Sequence, residues 1–375
     1  MSDCYLPRLG GIEVQVADLA GRLRDRGHTV RVLTATTASA PTAGAAAAVD
    51  AAADERDVLR MPAPLPLPVP VNPWAGPALR RVLTGADVVH VHLGVLAPFA
   101  ALAARQAVQL GRPLVLTWHS MVGAGPVTRA VAAQWRWWVA QGGVPTAVSS
   151  AAAGQLARVL REPSVTVLPD GLDRSRWRPG EGRPVAGPPR LVTAMRFAAR
   201  KRPAQLLRLL HQVRGELPDD RRPHVQVVGD GPWHPALAAL TRHTGWSSWV
   251  DLPGRLRRPE LHRRYLAADV YVAPGRKEAF GLAALEAAAA GLPVVGYAGT
   301  GVADVVRQGT GVLATDDADL VRVLRDLLAD PAGLERAGAA ARARALDPQG
   351  WASDWLAVVR ATETAYERAV RGGPS

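Results

Sequence analysis

The feature that most constrains this chain is a repeated rhythm: a short apolar run, a turn, then a longer stretch with helical spacing of its apolar residues. Strand-like runs fall at 29–34, 88–92, 114–118 and 146–149, and then at 190–194, 224–228, 270–273 and 293–297. Amphipathic stretches at 13–26, 97–110, 154–161, 203–216, 235–244, 283–290 and 319–328 lie between many of them. Apolar strands alternating with helices predict parallel sheets, because each crossover lays a helix on one face or the other. The strands form two sets, separated by a Pro/Gly/Arg-rich stretch at 174–189 that reads as a linker. The sequence thus predicts an α/β protein with two Rossmann-like parallel-sheet domains facing a cleft, at 1–173 and 190–350. A helical tail, 351–375, is expected to pack against one of them. Ligands of such sheets bind outside the carboxyl ends of the strands.

Three places break the rhythm. Residues 35–54 are Ala/Thr-rich and aperiodic, which predicts a loose surface loop. Residues 65–73 alternate proline with apolar side chains and should be extended. At the start, 2–7 reads as a loop and Gly10-Gly11 as a glycine turn opening a helix, with no strand before them. A central strand lost from a parallel sheet leaves the backbone groups of both neighbours unpaired. The expectation is therefore that the first strand of the first domain is missing and that this chain begins about one strand late.

Composition excludes several classes. A length of 375 residues allows two or three domains at about 100–200 residues each. With 48% hydrophobic and 21% charged residues the chain is far from disordered composition. One cysteine, Cys4, rules out an intrachain disulfide and suits a reducing compartment. The longest apolar stretch, 279–295, is interrupted by Glu286, Gly291 and Pro293, so no membrane span is expected, and no secretory signal is read at the start. These features predict a cytoplasmic protein. The net charge of +12 favours anionic company. Yet the basic residues are almost all arginine, with Lys201 and Lys277 the only lysines, and they are scattered. Nucleic acid is not expected as a partner.

The most informative segment is Glu278-Ala-Phe-Gly-Leu-Ala-Ala-Leu-Glu286, which follows a strand and a Pro-Gly turn and opens a helix. Phe280, Gly281 and Leu282 would then offer free backbone N–H groups at a helix N-terminus, a ready anion site. If helical geometry holds throughout, the two carboxylates differ by about 80° around the axis. A glutamate in so Ala-rich a helix needs a pairing cation or hydroxyl groups to bind. A dipole-favoured Glu plus a core ion pair is the plain alternative. A dehydrogenase is disfavoured, since Gly299-Thr-Gly301 has Asp304 where the third glycine of a dinucleotide motif belongs. His90 and His92 face one side of a strand, but two histidines without a third ligand make no zinc site.

Glu-x-Phe-Gly-Leu-x-x-x-Glu followed by Ala-x-x-x-Gly-Leu-Pro-Val-Val resembles the donor-site signature of retaining GT-B glycosyltransferases, and more narrowly of family 4. Further elements resemble that family in order along nearly the whole chain. They are the Gly10-Gly11 loop, Thr117-Trp118-His119, Pro169-Asp170-Gly171-Leu172-Asp173, Arg196-x4-Lys201, Gly229-Asp230-Gly231-Pro232 and Ala268-Asp269-Val270. The resemblance implies a GT-B fold and transfer of a hexose-type sugar from a nucleotide-diphosphate sugar to an acceptor hydroxyl, with retention and without a metal or other cofactor. It implies that Glu286 binds ribose hydroxyls, that Glu278 binds a hydroxyl of the sugar, and that Arg196 and Lys201 grip the diphosphate. The Phe280, Gly281 and Leu282 amides and the Gly10-Gly11 backbone would add to the phosphate site, and His119 would touch the donor sugar. The implied catalytic set is His119, Arg196, Lys201 and Glu278.

The acceptor stays open. Residues 129–141 contain Gln-Trp-Arg-Trp-Trp, which suits either a lipid-linked acceptor at the inner, anionic membrane face or a tryptophan-rich packing helix. The donor base also stays open among UDP, GDP, ADP and TDP. The rival readings are a non-catalytic nucleotide-sugar or polyanion-binding protein of the same fold, and an epimerase or phosphorylase of that fold.

Overall fold

The computed structural model describes residues 1–8, 10–38, 57–63, 71–123, 125–181, 187–306, 310–347, 351 and 353–372. The expected loop at 35–54 and the extended run at 65–73 lie for the most part outside them. The chain divides into two compact units: an N-unit, Met1–Gly171 with Ala352–Ser375, and a C-unit, Leu172–Trp351.

The N-unit begins with α1 (Gly11–Asp25), β1 (Val32–Thr34), β2 (Val58–Arg60) and α2 (Gly76–Leu83). It continues through β3 (Val89–Leu93), α3 (Pro98–Gln109), β4 (Leu114–Trp118), α4 (Pro126–Ala140), β5 (Val144–Ala147), α5 (Ser150–Leu160) and β6 (Thr166–Val167). Strands β3-β4-β5-β6 form one parallel sheet, and β1 pairs in parallel with β2. All five residues of β4 are buried, as a strand covered on both faces requires. Leu79, Phe99, Leu116, Trp118, Trp138 and Leu156 fill the core on one side. Helix α3 starts at a proline, and the Asp3 carboxylate accepts from Phe99 N (2.9 Å) and Ala100 N (3.1 Å) at its otherwise unpaired end.

Among the described residues, β1 and β3 are joined across the sheet by Met1 and, with bridges to both strands, Ser2. Ser2 makes isolated parallel bridges to Thr34 and to His92, at the downstream ends of the two strands. Ser2 N donates to Leu33 O (3.1 Å) and His92 N to Met1 O (2.9 Å), while the Met1 ammonium donates to His90 O (2.8 Å). Upstream of this bridge is a cavity of about 670 Å³, bounded among others by Met1, Val32, Leu33, Val89, His90 and Tyr366. Among the described residues no strand stands in that space.

The C-unit runs β7 (Arg190–Ala194), α6 (Pro203–Gly215), β8 (His224–Val228), α7 (His234–His243), β9 (Val250–Asp251), α8 (Arg258–Leu266) and β10 (Val270–Val272). It ends with α9 (Leu282–Ala289), β11 (Val294–Tyr297), α10 (Val302–Val305), β12 (Gly311–Ala314), α11 (Asp317–Ala329) and α12 (Pro331–Leu346). Its sheet is an unbroken parallel six, ordered β12-β11-β10-β7-β8-β9. The chain winds outward from β7 through β8 and β9, then returns to the other side of β7 with β10. The reversal of winding therefore lies between β7 and β10.

One boundary differs from that read in the sequence. The stretch 174–189 is not a free linker in its described part. Arg174–Arg176 forms a 3-10 turn, and Trp177 is buried with its ring 5.6 Å from Tyr265 and 5.7 Å from His262, so this segment belongs to the C-unit. The tail packs against a domain, as expected, and that domain is the N-unit. Its helix, α13 (Trp355–Arg371), sets Ala365 and Ala369 against Val115 and Leu168, and Trp355, Val358 and Val359 against Leu23. Among the described residues no helix is long and apolar enough to cross a membrane.

Candidate active site

At the carboxyl ends of β7 and β10, where the winding reverses, two loops carry the charged residues of the motif. The loop after β7 holds Arg196 and then Lys201, at the end of a 3-10 turn, Ala199–Lys201. The loop after β10 holds Glu278. Lys201 Nζ donates to Glu278 Oε2, closing an ion pair across the two loops, with each side chain about one-fifth exposed. Arg196 is exposed, and its side chain has no hydrogen bond or ion pair among the described residues.

The path of the first loop explains the Gly229-Asp230-Gly231 sequence. Phe197, fully buried, anchors the loop: its N donates to Asp230 O (2.9 Å) and its O accepts from Trp233 N (3.1 Å). Gly229 has φ 138°, and a Cβ there would stand 1.9 Å from Met195 O. Only glycine lets the β8–α7 turn lie so close under the Arg196 loop. Asp230 accepts from Gly231 N (2.8 Å), which first of all holds its carboxyl below the usual range, and its Oδ1 lies 3.1 Å from His234 Nδ1.

Gly281 has φ 94° and caps α9, so the helix begins at Leu282. Glu278 therefore lies in the loop, and the 80° offset expected for two carboxylates on one helix does not describe this site. Glu278 O instead accepts from Gly301 N (2.8 Å), and a Cβ on Gly301 would meet Ala279 O at 2.1 Å. Glu286 sits in the second turn of α9, half-buried, and Phe280 is buried beside the helix start. Under them lie Tyr265 and Tyr271, whose phenols are pushed up first by burial. The Glu286 carboxylate adds to the effect at both, and Glu278 at Tyr271. Tyr271 OH donates to Ala194 O (3.2 Å), tying the end of β10 to that of β7.

The resulting arrangement combines a buried aromatic floor with two carboxylates, one of them neutralised by a lysine. It adds a free arginine and the leading amides of a helix at Phe280, Gly281 and Leu282. It can receive an anion at the amides and cations, and hydroxyl groups at the carboxylates. Among the described residues no group of three or more His, Cys, Asp or Glu side chains could hold a metal ion.

In the N-unit, Gly10 precedes α1, and the Glu13 carboxylate folds back over it: a Cβ at Gly10 would be 2.3 Å from Glu13 Oε2. Gly11 is open and exposed. His119 follows β4, and its ring is enclosed. Nε2 is 3.0 Å from His92 Nδ1, and Nδ1 is 3.5 Å from Asp170 Oδ1. His90 belongs to a second chain of bonds with a defined direction. Thr146 Oγ1 donates to Leu116 O (3.2 Å), so Thr117 Oγ1 donates to Thr146 (2.6 Å) and accepts from His90 Nε2–H (2.7 Å). With burial keeping the ring neutral, its Nδ1 accepts from Tyr366 OH (3.1 Å). Burial pushes His90 down to about 3 and His92 well below its ordinary value. The spacing of His90 and His92 placed them on one side of β3, and their rings are 4.2 Å apart. Their bonding to His119, Thr117 and Tyr366 had no signal in the sequence.

The Gln-Trp-Arg-Trp-Trp stretch resolves into a packing helix on one side. Trp135 and Trp138 are buried, and Arg136 Nη1 donates to Val159 O (3.1 Å), while Trp137 is exposed.

Comparison with known proteins places these motifs. Residues 9–176 match the family model described as Glycosyltransferase Family 4, and residues 175–344 match Glycosyl transferases group 1. A GDP-mannose-dependent alpha-(1-6)-phosphatidylinositol monomannoside mannosyltransferase of Mycobacterium tuberculosis is 30% identical over 364 residues, 90% of each chain. The chain belongs to the family 4 glycosyltransferases. A glycogen synthase of the same organism is 31% identical over 303 residues, 76% of this chain and 70% of that protein. Among solved structures, sucrose-phosphate synthase from Thermosynechococcus elongatus matches with a TM-score of 0.72 and 21% identity, covering 96% of this chain and 93% of that one. The Anabaena protein HepE, in complex with UDP, matches with a TM-score of 0.73 and 16% identity, covering 96% and 97%. The fold is GT-B, built of two Rossmann-like domains, and the protein is a glycosyltransferase.

Proposed function

We propose that this glycosyltransferase moves a hexose-type sugar from a nucleotide-diphosphate sugar to an acceptor hydroxyl, with retention at the anomeric carbon. The observation that carries the reading is the Lys201–Glu278 pair at the point where the C-unit sheet reverses its winding. Glu286 takes the ribose hydroxyls, since a carboxylate accepts two O–H bonds well. Glu278 takes a hydroxyl of the transferred sugar. Arg196 and Lys201, with the Phe280–Leu282 amides, hold the diphosphate and stabilise the charge that grows on it as the glycosidic bond breaks. Two cations so placed can do the work of a divalent metal, and the proposal is that turnover needs none. The acceptor then attacks from the face the diphosphate leaves, its proton passing to a phosphate oxygen.

The free arginine and the paired lysine have different parts before the donor arrives. Arg196 is available at once. Lys201 begins on Glu278, so a diphosphate must draw it into a shared arrangement, which leaves the Glu278 carboxylate free to meet a sugar hydroxyl. For Gly10, Gly11 and His119 the assignment to the donor rests on the sequence resemblance. A binding protein that never turns over has no use for both carboxylates with both cations, which favours transfer over the non-catalytic reading.

The relatives bear on donor and acceptor only by their names: one is GDP-mannose-dependent with a phosphatidylinositol mannoside acceptor, and HepE was solved with UDP. A lipid-linked acceptor, met by peripheral contact with the anionic inner face of a membrane, is the narrower form of the proposal. It is favoured by the +12 charge and by exposed Trp74 and Trp137 in the N-unit. The function is tested by assaying sugar transfer from UDP-, GDP-, ADP- and TDP-hexoses with EDTA present and reading the product anomer by NMR. Hydrolysis alone, a product of inverted configuration, or activity abolished by EDTA would each contradict part of it.

A further inference from the structure

Lys201 is followed by Arg202, which adopts a left-handed conformation (φ 59°, ψ 40°) at the start of α6. A non-glycine residue holds that conformation only against a cost, so something else must fix it. The guanidinium is gripped by Asp317, the first residue of α11. Nη1 donates to Oδ1 (3.0 Å) and Nη2 donates to Oδ2. Tyr297 OH, at the end of β11, donates to the same Oδ1 (2.7 Å), and Gln205 Nε2 donates to Oδ2 (3.3 Å). From the other loop Arg276, two residues before Glu278, brings Nη1 to 3.6 Å from Oδ1. Arg202 and Arg276 also lie over the Tyr297 ring, at 5.9 and 5.3 Å from its centre.

One carboxylate thus fastens the residue after Lys201 and, more loosely, the residue two before Glu278. We propose that Asp317 is a positioning residue of the donor site, which through Arg202 and Arg276 sets the places from which Lys201 and Glu278 meet the donor. The proposal rests on the reading that Lys201 contacts the diphosphate. Asp317 itself touches neither substrate nor reacting atoms; its effect passes through the loop backbones. Pairing by a fork fixes direction as well as distance, which is what a loop carrying a flexible lysine lacks on its own.

The test is a double-mutant cycle on nucleotide affinity, using the nucleoside diphosphate that binds best among UDP, GDP, ADP and TDP, and its monophosphate. Asp317→Asn keeps the shape and loses the charge of the clamp. It should weaken the diphosphate on the order of tenfold and leave the monophosphate within about twofold. In a Lys201→Ala background the same change should have little further effect. Tyr297→Phe, which removes one bond from the clamp without altering the fork, should show the same selectivity at about twofold to threefold, and serves if Asp317→Asn does not fold. Equal weakening of both nucleotides, or full additivity with Lys201→Ala, would make Asp317 merely structural and overturn the proposal. A Lys201→Ala variant with unchanged diphosphate affinity would overturn the donor-site reading and the clamp with it.

Discussion

The two units are built from the same repeating element, yet their sheets differ where each is most central. In the C-unit six strands pair without interruption, and the reversal of winding falls between β7 and β10, whose ends carry Lys201 and Glu278. In the N-unit the corresponding middle, among the described residues, is a gap between β1 and β3, spanned by Met1 and Ser2 and backed by a cavity of about 670 Å³. Charge follows the same division. The ionic groups of the C-unit site, the Lys201–Glu278 pair and Arg196, lie at the partly exposed ends of finished strands. The N-unit instead encloses an ammonium, an aspartate and two histidines in and beside its gap. A completed sheet leaves its charges at the rim, where they can meet a ligand, whereas an interrupted one must bury polar groups in its interior.

The largest effect expected on this comparison concerns chemistry. Replacing Lys201 or Arg196 by alanine should lower turnover on the order of 10²–10³-fold, as loss of one charge-stabilising donor does elsewhere. Steady-state kinetics on the purified enzyme would read this. Turnover within a factor of three of the parent would remove that cation from the site.

A second prediction concerns stability in acid. His90 and His92 are neutral in the folded N-unit at pH values where the unfolded chain would protonate them. Their contribution is whole above pH 6.5 and is lost progressively below it, that of His90 as pH falls toward about 3. Asp3, raised to about 6 by burial, acts oppositely and favours the folded state as pH falls from about 6 to 3.8. Two histidines outweigh one carboxylate. In the C-unit, Asp317 is held down to about 2, first by the Arg202 fork, and its contribution is kept until pH falls below 3.8. Hydrogen exchange between pH 4.5 and 7, corrected for intrinsic rates, should therefore show N-unit amides losing protection first. Earlier loss in the C-unit would reverse the contrast.

The gap itself can be probed by filling it. Six Val/Ile-rich residues fused ahead of Met1 would enter parallel to β1 and β3, since Ser2 already pairs that way at their downstream ends. Such a strand would bury apolar surface and pair open backbone groups, and should raise the melting temperature of the N-unit on the order of 10 °C. A Gly/Ser extension of equal length that stabilises as much would show the cavity plays no part. The smallest effect concerns the membrane. Liposomes with anionic lipid should retain the protein at low salt and release it at high salt, with Trp137→Ala weakening retention a few-fold. Retention that is the same on neutral liposomes would count against that contact.

How much of this was legible in the sequence follows from what each feature depends on. Strands such as β4, β7 and β8 are short runs rich in apolar residues and largely buried, and their limits agree with the reading to the residue. Strands β2, β6 and β9, at two or three residues, are too short to show a period. Helices α8 and α12 show no clear apolar face in the sequence, since Tyr265 is the one buried residue of α8 and α12 packs through Gly338, Ala341 and Ala345 as well as Leu334. At the site, the family resemblance pointed to Lys201, Glu278 and Glu286. It could not show that Gly281 delays the helix and leaves Glu278 in the loop. Nor could it show the bonds of Lys201 to Glu278 and of Arg202 to Asp317, which join residues 77 and 115 positions apart through the order of strands.

The central claim is that the C-unit holds a nucleotide-sugar donor between its carboxylates and its cations. Calorimetric titration with UDP, GDP, ADP and TDP in the absence of metal tests it most directly, on the parent and on Glu286→Ala. The account predicts clear binding of one nucleotide and its loss in the variant. A folded protein that binds none of the four, or binds one equally well without Glu286, would contradict it.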